Sequence, residues 1–219
     1  MSLIDVRLLN EPEKALLLSN VLTIALALVF NWGLITLLWG YWIQSAIIGL
    51  FNFFKILFLG AKAAEESKIY LLGGIFLAFF FALHYGFFHF AYFMFLAPFS
   101  FSVVFGPVSI VNLFGVALMG IIFFCNHAYS FWRYIISEKR FSAKENLMQK
   151  AFSEPYSRII PMHLTIIFGG FIFVSVATIL PGQSLFWAEK VIIVFFLALK
   201  TFADLKGHDF IHREKTFPG

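Results

Sequence analysis

Six stretches of this chain stay apolar for about 20 residues or more: about 15–37, 41–60, 69–97, 107–134, 159–180 and 187–206. The hydrocarbon core of a bilayer is roughly 30 Å thick, and about 20 residues of helix cross it. Backbone groups in that layer find no water to bond. Each stretch must therefore be an α-helix that satisfies its own N–H and C=O groups. The expectation is an all-α, polytopic membrane helix bundle with six transmembrane helices, forming one domain over residues 1–219. The composition agrees: 61% of residues are hydrophobic and 13% charged, whereas a soluble domain is about half apolar and a quarter charged. No polar block is long enough to fold as a separate soluble domain, and the opening MSLIDVRLLNEPEK carries no cleavable signal sequence.

Orientation follows from the basic residues. Arg7 and Lys14 precede the first stretch, and Lys62 and Lys68 lie between the second and third. Arg133, Lys139, Arg140, Lys144, Lys150 and Arg158 lie between the fourth and fifth, and Lys206, Arg213 and Lys215 follow the sixth. The turns at about 37–42, 98–107 and 181–188 hold no Lys or Arg. By the positive-inside rule both termini are cytoplasmic. The net charge of +4 is accounted for by this topology and does not point to nucleic acid. Gly40, Tyr41 and Trp42 mark the first turn, with the two aromatics as interfacial anchors, and Pro98, Pro107 and Pro181-Gly182 punctuate the later ones. In the one sizeable loop, Ser142 and Glu145 have capping-box spacing. Leu147, Met148 and Phe152 follow, which predicts a short amphipathic helix over about 142–153 on the cytoplasmic surface. The single cysteine, Cys125, rules out an intramolecular disulfide and reads as a small buried side chain.

Ionisable groups at membrane depth are costly and mark working sites. The last helix places Lys200, Asp204, His208 and His212 at four-residue steps, which puts them on one face. His127 stands six residues before Arg133 and His163 five after Arg158, so three helices bring His or Asp to a similar cytoplasmic depth. His84 lies nearer mid-membrane, and His89 further out. Zinc takes His and Asp ligands, and a pair four apart on one helix can fill two positions. The candidate metal ligands are His127, His163, Asp204 and His208, with His84 and His212 as further members. Lys200 is suited to an anionic head group or oxyanion, and Ser130, three residues after His127, to support of the site. A salt bridge between Lys200 and Asp204, and packing roles for the single histidines, account for the same residues without chemistry. Gln44 and Asn52, two turns apart, fall on one face toward the bundle interior.

The segments YWIQSAIIGLFNFFK (41–55), HYGFFH (84–89), NHAYSF (126–131), PYSRIIPMH (155–163) and KTFADLKGHDFIH (200–212) together resemble a family of small bacterial and archaeal multipass proteins labelled only as a domain of unknown function. The resemblance covers nearly the whole chain and implies that these polar residues work together. It implies no activity. A second, partial likeness is to the superfamily of alkaline ceramidases, adiponectin receptors and hemolysin-III-like proteins, which hold an intramembrane zinc with one Ser, one Asp and three His. His208 and His212 match that group's closing H-x-x-x-H. The chain departs from it in having six helices rather than seven, Asp204 on the same helix as the pair, and His127 before Ser130. The likeness is one of chemistry, not membership.

The leading functional reading is a metal-dependent intramembrane hydrolase of a lipid or other amphiphile, with zinc as the metal. Three further classes stay open: a b-type haem electron-transfer protein with His84 paired to His127 or His163, a proton- or ion-coupled transporter using Lys200 and Asp204, and an accessory structural subunit. The partners expected are membrane lipid and either further copies of the chain or a larger membrane complex. The expected location is a prokaryotic plasma membrane.

Overall fold

The computed structural model describes residues 11–101 and 111–138, together with Phe152, Tyr156, Ile167, Phe171, Ser175, Ile179 and Ile193. The described residues are all-helical, without strands, and contain four continuous helices: α1 (Glu11–Val29), α2 (Leu34–Ala63), α3 (Lys68–Phe101) and α4 (Leu113–Glu138). Three of them, over Leu34–Ala63, Lys68–Pro98 and Leu113–Arg133, are long and apolar enough to cross a membrane. The face of α3 turned away from its neighbours is as apolar as the buried one. Phe76, Leu83 and Phe87 are 72%, 77% and 70% exposed there, an arrangement suited to hydrocarbon and not to water.

Cross-helix contacts fix the directions. From α2 to α3, Trp39 meets Ser100, Ser45 meets Tyr85 and Phe53 meets Phe79, so rising numbers on one helix pair with falling numbers on the other. The two form an antiparallel hairpin. At its closed end Gly60 and Gly74 bring the backbones together: a Cβ on Gly74 would stand 2.6 Å from the Gly60 Cα. Only glycine permits such an approach. From α2 to α4 the numbers rise together, Thr36 with Asn112, Gly40 with Met119 and Phe51 with Phe131, so those helices run parallel. Between α1 and α4 they oppose, Phe30 with Phe114 and Ser19 with Asn126. The four helices thus alternate in direction along the chain. Lys14, Lys62, Lys68 and Arg133 consequently lie toward one end of the bundle, here called the basic end.

Several helix boundaries differ from the sequence reading. The turn between the first two helices falls at Phe30–Gly33, not at Gly40–Trp42. Asn31 adopts a left-handed conformation there (φ 51°), which asparagine tolerates better than most residues. Gly40 sits inside α2 and provides the close contact with Met119. Tyr41 is buried and Trp42 half-buried in the bundle, so neither is an interfacial anchor. α3 runs through Pro98 to Phe101. Past the proline, the Ser100 hydroxyl donates to the Leu96 carbonyl (3.1 Å) and accepts from the Trp39 indole (2.7 Å). α4 starts later than expected because Asn112 caps it, its side-chain oxygen accepting from the Gly115 N–H at 2.8 Å. Cys125 is exposed, not buried.

Of the two remaining apolar stretches, Ile167, Phe171, Ser175, Ile179 and Ile193 have helical backbone, and Ile193 belongs to the main core with Trp32, Leu37 and Met119. The expected surface helix at 142–153 lies outside the described residues except for Phe152. That ring packs on Phe80 and Phe81 (5.9 and 6.0 Å between centroids), about 18–20 Å along α3 from Lys68 at 1.5 Å per residue.

Candidate functional site

Buried polar side chains gather in two layers. The first lies toward the basic end. On α1, Ser19, Asn20 and Thr23 are all buried, and the Thr23 hydroxyl donates back to the Ser19 carbonyl at 2.8 Å. On α4 the buried stripe Val116, Met119, Phe123 continues at helical spacing to His127 and Ser130, both partly buried. Asn126 donates its amide to the Ser19 hydroxyl at 3.4 Å, while its side-chain oxygen is buried and has no hydrogen-bond partner among the described residues. That contact sets the two helices at the same depth. On α2, Asn52 is buried and Lys55 half-buried, about 17 and 12 Å from Ala63 along the helix.

The second layer lies further from the basic end, between α2 and α3. Ser45 and Tyr85 share a hydroxyl–hydroxyl bond of 2.8 Å, and the Tyr85 hydroxyl also reaches the Ser45 carbonyl at 3.0 Å. His89, one turn beyond Tyr85, stacks on its ring at 4.4 Å between centroids. The Trp42 indole donates to the His89 carbonyl at 2.9 Å. Gly49 makes room for the Tyr85 ring, since a Cβ there would stand 2.5 Å from it.

Of the residues named from the sequence, His127 and Ser130 fall on the buried stripe of α4. Gln44 and Asn52 are buried, as their spacing suggested. His84 does not join them. It leaves the buried face of α3, is exposed, and has Phe80, Phe88 and Tyr156 as ring neighbours at 5.4–5.7 Å. Among the described residues no three His, Cys, Asp or Glu side chains converge on a metal-sized space. His163, Lys200, Asp204, His208 and His212 lie outside the described residues. The Ser45–Tyr85–His89 group went unrecognised as a unit in the sequence. Its one signal was the i, i+4, i+7 spacing of Ser45, Gly49 and Asn52, which makes a small and polar face on an otherwise bulky helix.

The sequence profile of one family matches residues 7–218. The chain belongs to DUF6498, a family of unknown function. The match spans all five segments that carried the resemblance noted above, so the DUF6498 pattern covers both polar layers and the final His/Asp stripe. No curated protein and no solved structure matches the chain. The likeness to alkaline ceramidases and their relatives thus rests on the His208–His212 spacing alone.

Proposed function

We propose that this DUF6498 chain is an integral membrane protein with its basic end in the cytoplasm, and that its working site is a divalent-metal centre in the polar layer at that end. His127 is the ligand from α4, and Asp204 with one of His163 and His208 completes a three-ligand set from the last two apolar stretches, leaving the fourth position open. Zinc is the metal that imidazole and carboxylate donors suit. The observation that carries this reading is the place of His127. It continues the buried stripe of α4, about 9 Å inside Arg133, at the level where α1 and α4 exchange a hydrogen bond. An imidazole placed inside a bundle at that depth, flanked by Ser130 and Asn126, faces whatever helices close the bundle. His84 is left out of the centre because it stands off the buried face of its helix.

Zinc held there would supply a Lewis acid that activates water near neutral pH, chemistry that would suit hydrolysis of an ester or amide in a lipid of the cytoplasmic leaflet. Lys200 would hold the anionic head group or developing oxyanion, and Ser130 a hydrogen bond to the substrate or to a ligating imidazole. The test compares metal content in His127→Ala, Asp204→Asn and His84→Phe proteins purified without chelator. Metal should fall well below one per chain in the first two and stay at the wild-type level in the third. Full occupancy in both His127→Ala and Asp204→Asn would overturn the assignment.

A further inference from the structure

At the basic end, α3 carries an apolar stripe past the edge of the hydrocarbon. The candidate membrane span of α4 ends at Arg133, which marks that edge. The Phe51 ring lies between Phe124 and Phe131, at 5.3 and 5.4 Å, so Phe51 is level with His127 on α4. Phe53, one step nearer the basic end, meets Phe79 at 5.7 Å. Counted from these contacts at about 1.5 Å per residue, Phe76 stands level with Arg133, Leu72 about 6 Å beyond it and Ile69 about 10 Å beyond. Leu72 and Ile69 are 69% and 70% exposed. An apolar stripe that projects into head groups and water calls for a cover.

We propose that the cover is the chain's own segment 143–151, docked along α3 as a short helix with Met148 against Phe76 and Leu72. Both ends of the connection point there. Phe152 and Tyr156 have helical backbone and pack against the small core of Ile56, Leu59 and Phe81. Phe152 meets Phe80 and Phe81, and Tyr156 meets Phe81, His84 and Tyr85, so the numbers rise together with those of α3. Followed backwards from Phe152, the chain heads from Phe80 toward Phe76 and Leu72. At the other end α4 stops at Glu138, level with Leu71 by the same count. Residues 139–151 lie outside the described residues, and they join two points that bracket the exposed stripe. α2 stands between α3 and α4 and packs on both. The crossing is therefore about two interhelical spacings, roughly 20 Å, which about six extended residues span. The remainder suffices for about two turns of helix, and Ser142 with Glu145 supplies the capping-box start. Met148, Phe152 and Tyr156 follow at four-residue steps, which puts Met148 on the face that the two aromatics turn to α3. Lys150 falls on the opposite face, toward water. The docked segment ties the fifth apolar stretch to α3 before it enters the bilayer, and it does so independently of any metal.

The test uses cysteine pairs on a Cys125→Ser background in native membranes. On oxidation, Phe76→Cys with Met148→Cys should form a disulfide within the chain. Its yield should be on the order of ten-fold higher than for Phe76→Cys with Lys150→Cys, since the bond needs Cα atoms within about 7 Å. A link between two chains would give the stripe to a second copy. No link, or equal links in the two pairs, would put the segment elsewhere, on the lipid surface among other places. Each of these results overturns the proposal. A single cysteine gives an independent reading should the pair disturb the contact. In opened membranes an impermeant maleimide should react with Leu72→Cys about ten-fold more slowly than with Glu65→Cys in the exposed turn. Adding Met148→Asp should remove most of that difference. Equal rates at the two positions would refute the cover, and a difference that Met148→Asp leaves intact would assign it to lipid or another protein.

Discussion

Two adjacent glycines on α3 should respond oppositely to the same substitution. A methyl group at Gly74 would stand 2.6 Å from the Gly60 Cα, and one at Gly60 would stand 2.8 Å from the Gly74 Cα. Ordinary van der Waals contact begins near 3.4 Å, so the hairpin must open by nearly an ångström. The obstacle is backbone, not the movable end of a side chain. Overpacking of that kind costs about 1–3 kcal/mol, against a helix-propensity gain from Gly to Ala of up to about 1 kcal/mol. With the full gain taken, the net loss for Gly74→Ala is up to about 2 kcal/mol. At Gly73 a methyl group meets nothing within 4 Å, and only the propensity gain remains. At about 2–4 °C per kcal/mol for a chain of this length, Gly74→Ala should melt below the wild type by up to about 8 °C. Gly73→Ala should melt at or slightly above it. Tryptophan-fluorescence melts in a single detergent give the comparison. If the two variants shift alike, the Gly60–Gly74 contact does not set the hairpin and the α2–α3 register is wrong.

The Ser45–Tyr85 bond should appear as coupling. Ser45→Ala and Tyr85→Phe should each lose about 1 kcal/mol, and the double variant little more than either alone; losses that simply add would show that the hydroxyls do not share a bond. Topology is checked by a cysteine introduced at Glu65, in the exposed turn between α2 and α3, on a Cys125→Ser background. In intact cells a membrane-impermeant maleimide should label it only after the membrane is opened, and labelling before that would reverse the orientation.

Much of this architecture was legible in the sequence because the bilayer admits few solutions. Long apolar runs, and basic residues confined to alternate connections, predicted the directions in which α1 to α4 run. Finer features depended on rotation and contact that a single sequence does not express. Gly40 read as a turn because it precedes Tyr41 and Trp42, a pair typical of interfaces, yet it is a packing glycine against Met119. The actual turn was written in Asn31-Trp32-Gly33, with the asparagine in the left-handed region. Pro98 read as a stop, but α3 continues through it, held by the Trp39–Ser100 bond from the neighbouring helix. In the sequence His84 reads as a further candidate ligand, and His89, further out, does not. Five residues separate them, and that is enough to place one on the outer surface of α3 and the other inside it. The Tyr85 hydroxyl finds Ser45 only because Gly49 lets the ring approach, a relation between three residues on two helices.

The most direct measurement is the metal content of the folded wild-type protein, purified without chelator and counted per chain by plasma mass spectrometry. The account predicts about one zinc per chain, bound by the two-histidine, one-carboxylate kind of set that His127, His163, His208 and Asp204 can supply. A folded sample with no metal, or with iron accompanied by the visible spectrum of haem, would contradict it.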